Sequence, residues 1–121
     1  MGLKFIFKID AFVILINGMG FLFVTTVFSE MGGLTMSTSL MTLGQFMGVT
    51  FIFLSLLAWK TPSATGISIN TFGKIWALGH FMWLLIIGYH IVINQVGGLT
   101  AFLNIFITGI FSILYYIKSK D

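Results

Sequence analysis

The chain has 121 residues, of which 58% are hydrophobic and only 7% charged, with a net charge of +3. A soluble domain this small exposes too much of its chain to water to hide so much apolar surface, so a water-soluble fold is excluded. There is no cysteine, which removes disulfides, thiolate metal sites and a cysteine nucleophile.

Two long stretches set the architecture. Between Ala11 and Trp59 the only charge is Glu30, and from Ile75 to Ile117 there is none. A bilayer core takes roughly 20 apolar residues per helix, so each stretch must cross, turn and cross again. The runs FVILI, FIFLSLLAW and LLIIGYHIVI lack the alternation of barrel strands. Only helices satisfy their own backbone within one segment in lipid. The expected fold is all-α, a bundle of four transmembrane helices forming one domain over residues 1–121.

The first span is expected from Phe5 to Ser29. It follows lysines but has no small-residue cleavage site, so it reads as a retained helix. Ile6 stands where myristoylation requires Ser or Thr. Asp10 lies near the start of this span, and Gly18 and Gly20 allow a neighbouring helix to approach closely. EMGGLT, at 30–35, then reads as a corner. Gly-Gly holds a helix poorly and takes positive φ readily, and Thr35 is placed to cap the next helix.

The second span, Ser37 to Trp59, carries Gln45 and the close-approach pair Gly44 and Gly48. Residues 60–74, with the only proline at Pro62, read as a short polar link too small for a catalytic domain. The third span, Phe72 to Asn94, holds His80, Trp83 and His90. QVGGLT at 95–100 then repeats the first corner 65 positions on, with Thr100 as its cap. The fourth span, Gly98 to Ile117, carries Asn104, Thr108 and Ser112 as a small polar stripe at helical spacing. Gly44 and Gly109 each lie 12 residues beyond the first glycine of their corner. The chain thus reads as two tandem hairpins, about 5–59 and 72–117, of the parallel-repeat kind related by an axis along the membrane normal.

All six lysines, Lys4, Lys8, Lys60, Lys74, Lys118 and Lys120, fall at one end of a four-span chain. Lysine collects in cytoplasmic loops, so the termini and the link are expected inside and both Gly-Gly corners outside, in a prokaryotic plasma membrane. Trp59, Trp76, Tyr115 and Tyr116 would form an aromatic belt at the inner interface. The positive charge suits anionic lipid. With no basic stripe on any helix, nucleic acid is not an expected partner.

Polar residues inside lipid are costly and count as functional candidates. They fall into two levels. Asp10 and His80 share the inner level, where they either form a charge-assisted hydrogen bond or, in the plainer and preferred reading, are an interfacial carboxylate and a packing histidine. Gln45, His90 and Asn104 share the outer level, as a polar pocket or as interhelical glue, with glue preferred. Trp83 either stacks on a ligand or packs. No His pair at i, i+4 and no carboxylate beside a His appears, so no metal is expected. Three acidic residues, no arginine and no phosphate-binding or nucleophile motif leave hydrolysis and phosphoryl transfer unsupported.

GMGFLF at 18–23 and LGQFMGVTFIFLSLLAW at 43–59 resemble the DoxX-like group of small four-helix membrane proteins. That group commonly has arginine where this chain has Gln45. The resemblance implies an accessory role near quinone-linked redox complexes. The small multidrug transporters share the length and span count, but their mid-helix glutamate has no counterpart here beyond Asn17 and Asp10. The leading expectation is a non-enzymatic accessory or structural subunit of a larger membrane complex, with the bilayer and other subunits or its own copies as partners. No cofactor is required, and quinone or lipid is the ligand class left open. The alternative is a small transporter or quinone-associated redox component using Asp10, His80, Gln45, His90 and Asn104. A third reading is a self-associating organiser that uses Gly44 and Gly48.

Overall fold

The computed structural model describes residues 1–64 and 66–120. Among these residues there are helices and no strands, and four of the helical segments are long and apolar enough to cross a membrane. Helix α1 is Leu3–Phe23, and a short helix, α2, Thr25–Glu30, follows it. Helix α3 is Thr38–Ala64, α4 is Ile69–Val92 after one turn of 3-10 helix, and α5 is Leu99–Lys118. The chain is an all-α four-helix bundle. α1 pairs with α3 and α4 pairs with α5, while contact between the two hairpins is sparse.

Three local expectations need correction. The first span is broken at Val24, whose φ and ψ are −128° and 46°. There the Thr25 hydroxyl bonds back to the Phe21 carbonyl, a local bond that competes with the helix and bends it. Gly20 makes room for the fold-back, since a Cβ there would lie 2.5 Å from the Phe28 ring. The link at 60–74 is mostly helical, because α3 runs on through Pro62 and α4 starts at Ile69. Pro62 sits in the last turn, where its missing N–H costs the ladder one bond. The threonines do not cap: Ser37 accepts the Leu40 N–H at 3.2 Å, and Gly98 stands at the N-cap of α5, which has no side-chain cap.

The Gly-Gly corners do turn the chain. Gly33 and Gly98 have φ of 81° and 89°, a region costly for any side chain. The corners also meet. The Gly97 N–H donates to the Gly32 carbonyl at 2.9 Å, and the Thr100 N–H reaches the Met31 carbonyl at 3.4 Å. A Cβ on Gly33 would sit 2.7 Å from the Gly97 carbonyl oxygen. Main chain therefore joins the hairpins at the corner end.

Inside the hairpins, small residues face inward and large apolar ones face out. Lipid offers no hydrophobic drive for helix association, so close van der Waals contact and hydrogen bonds must supply it. Gly18 and Gly48 set the α1–α3 crossing: a Cβ on Gly48 would fall 2.8 Å from the Gly18 carbonyl oxygen and 2.7 Å from the Leu22 nitrogen. Lower on the same seam, the Ser55 hydroxyl donates to the Ala11 carbonyl at 2.7 Å. Between α4 and α5, the Ser112 hydroxyl donates to the Ala77 carbonyl at 3.0 Å. Outward, residues such as Phe12, Phe46 and Phe106 are exposed, as lipid contact requires.

Candidate functional site

The second junction between the hairpins lies toward the lysine-bearing end and is polar. Asp10 lies about 10 Å into α1 and is fully buried. One of its oxygens, Oδ2, accepts the Tyr115 hydroxyl of α5 at 2.8 Å and lies 2.8 Å from His80 Nε2 of α4. Three helices thus converge on one carboxylate oxygen. Ring packing holds the donors in place. The His80 ring stacks on Phe111 and Tyr115 with centroids 5.4 and 5.7 Å away, while Phe7 meets Trp76 and Tyr115 edge-on at 5.5 and 4.9 Å. Lys8, two residues from Asp10, turns to α3, where its Nζ donates to the Trp59 carbonyl at 2.8 Å and sits 3.8 Å over the Trp59 ring.

The inner-level pairing is therefore present, and the preferred plain reading of Asp10 as an interfacial carboxylate is corrected. Tyr115 needs correction too. It is not a belt residue facing lipid but is wholly buried, while Tyr116 and Trp59 are exposed. A signal for it existed: Tyr115 extends the Asn104, Thr108, Ser112 stripe by one further i+3 step, which places it on the inner face of α5.

Held apart from each other between the two junctions, the hairpins enclose a cavity of about 370 Å³, within the usual range for small-molecule sites. Its walls are mainly apolar and aromatic, with Phe21, Phe51 and Trp83 midway and Asp10 and His80 at one end. Asn17, Asn104 and Thr108 also line it, and each gives one hydrogen bond to a carbonyl of its own helix, at 3.1, 2.7 and 2.8 Å. Two lining residues are different. Asp10 Oδ1 and His80 Nδ1 are buried and have no hydrogen-bond partner. Buried polar atoms are nearly always paired, so an orphan on a residue that lines a cavity is a place for an incoming group.

The outer level does not assemble. Of its three members only Asn104 lines the cavity. Gln45 is exposed on α3. His90 sits at the end of α4 with its ring edge-on to Tyr89 at 5.2 Å, and its carbonyl takes the Gln95 and Val96 N–H groups. Among the described residues, no three His, Asp or Glu side chains gather at one point. No family model, curated protein or solved structure matches the chain.

Proposed function

We propose that the protein is a membrane-embedded binder of small amphiphiles, in class a small transporter. One observation carries this reading: an apolar interhelical cavity is lined at one end by Asp10 and His80, each of which has a buried polar atom, Oδ1 and Nδ1, without a partner. A ligand with an apolar body and one polar head satisfies both features at once. Quinones and lipids fall within that class. The accessory-subunit reading rests on the lack of a soluble domain, on sparse buried ionisable residues and on close-packing glycines, which could pack within the bundle or against a neighbour. Gly18, Gly44 and Gly48 are buried against the chain's own helices, so the glycines' support is spent inside the bundle. The organiser reading, which needs Gly44 and Gly48 outward, loses its basis in the same way.

Two further parts of the proposal concern layout. The matched positive φ at Gly33 and Gly98 and the facing corners favour tandem hairpins descended from one unit. The lysine-bearing end is assigned to the cytoplasm of a prokaryotic plasma membrane, because lysine is retained on that side.

The test is native mass spectrometry of the protein released from its own membrane, compared with a Gly79→Phe variant. Gly79 lines the cavity, and a Cβ there meets nothing within 4 Å, so the new ring fills space without displacing backbone. A small adduct on the wild type that disappears in the variant is the expected result. An adduct unaffected by the substitution, or none at all, overturns the cavity reading. A mass that includes other subunits would restore the accessory role.

A further inference from the structure

The chemistry of the two orphan atoms narrows the ligand, provided the cavity reading holds. Tyr115 has one proton, and it is committed to Asp10 Oδ2. With His80 Nε2–H on the same oxygen, the neutral imidazole leaves Nδ1 as an acceptor. Asp10 Oδ1 is an acceptor as well. In that state both open positions call for a donor, and a head that only accepts, such as a quinone carbonyl or an ester, is served only while a proton stays on the pair. An anionic head is served worse, because no lysine lines the cavity.

Charge decides between the remaining heads. The groups facing Asp10 are His80 from α4 and Tyr115 from α5. Along the α1–α3 seam α3 presents Ser55 and Ala58, and Lys8 of α1 is engaged with Trp59. Without a proton on His80 the carboxylate has no countercharge in contact, a costly state in a medium of low polarity. A hydroxyl head would leave that cost standing, whereas an ammonium head removes it. The wall beyond is aromatic, with Phe21, Phe51, Trp76 and Trp83, and ring faces attract cations.

We infer that the cavity takes an amphiphilic cation, an apolar body bearing an amine or ammonium head beside Asp10 Oδ1, and that this cation competes with a proton on the Asp10–His80 pair. Binding then expels the proton. In balanced form, the protonated pair plus the cation gives the deprotonated pair with the cation bound, plus one proton to water. Full competition by one proton makes affinity rise about tenfold per pH unit.

The experiment uses the full chain in nanodiscs of neutral phosphatidylcholine, with phenylbutylamine and phenylbutanol as probes of equal length, followed by titration calorimetry in buffers of different ionisation enthalpy. The amine should bind at least about tenfold more tightly than the alcohol, gain affinity with rising pH and release protons. Asp10→Asn should abolish the preference. His80→Gln, which keeps an amide donor near Asp10, should retain amine binding and move the pH range over which affinity changes, because Asp10 alone then carries the competing proton; this covers the case in which Asp10→Asn does not fold. Equal binding of the two probes, or amine binding indifferent to pH in the wild type, overturns the cation proposal. If neither probe binds while the native adduct still depends on an unfilled Gly79, the cation proposal fails and the cavity reading stands. If Gly79→Phe changes neither adduct nor probe binding, the cavity reading itself fails.

Discussion

The two hairpins place glycine at matching positions and use it differently. In the first, Gly44 and Gly48 bring α3 against α1 and α2, where a Cβ would fall 2.7 Å from the Thr25 methyl carbon and from the Leu22 nitrogen. In the second, Gly109 stands at the place that Gly44 occupies in the first, yet a Cβ there would lie 3.7 Å from the nearest atom, a Leu84 methyl. One hairpin is held by backbone contact, the other by side chains and the Ser112 hydroxyl. The carboxylate lies on the tight hairpin, and both of its donors lie on the looser one. An equal sequence signal thus carries unequal mechanical duty, and the polar junction has no counterpart 65 positions on, where Ile75 stands in the place of Asp10.

That contrast can be broken most sharply at the glycines. Gly48→Ala should cost about 3 kcal/mol, since it overpacks main chain that cannot yield, whereas Gly109→Ala should stay within about 0.5 kcal/mol of wild type. Reversible unfolding in mixed detergent micelles would measure both, and equal costs would erase the distinction. Next comes the junction between the hairpins. Tyr115→Phe removes a donor to a buried carboxylate and should cost about 1.5 kcal/mol in the same assay. A neutral result would mean that the tyrosine hydroxyl contributes nothing to joining them.

Smaller effects sharpen the picture. Ser55→Ala and Ser112→Ala each delete one interhelical bond and should cost about 0.6 kcal/mol apiece. A cost well above that for Ser112 alone would show that the looser hairpin leans on its hydroxyl. Smallest of all, Gln45→Ala should leave stability within about 0.5 kcal/mol and leave the bound adduct in place. Loss of the adduct in that variant would place the site at the outer level instead.

The spans, the lysine-bearing end and the two corners were legible because composition and the backbone's need for hydrogen bonds leave few alternatives in lipid. The helix faces were not. Each helix is apolar on nearly every side, so periodicity does not mark which face turns inward, and the meeting of Asp10, His80 and Tyr115 depends on that rotation. The aromatic-belt reading of Tyr115 failed for this reason: Tyr115 and Tyr116 are the same residue type side by side, yet about 100° apart around the helix, one buried and the other exposed. Pro62 misled differently, because a proline in the final turn of a helix and a proline in a loop look alike in sequence.

The bond from Gly97 to Gly32 has a mechanical consequence. It is made of main chain alone, so no proton and no side-chain chemistry switches it. The Asp10 joint is built from groups that carry protons. A pair of rigid arms with one permanent fastening and one conditional fastening swings about the permanent one, like tongs riveted at one tip. Any opening movement of these hairpins would then pivot at the glycines and be widest where the lysines are.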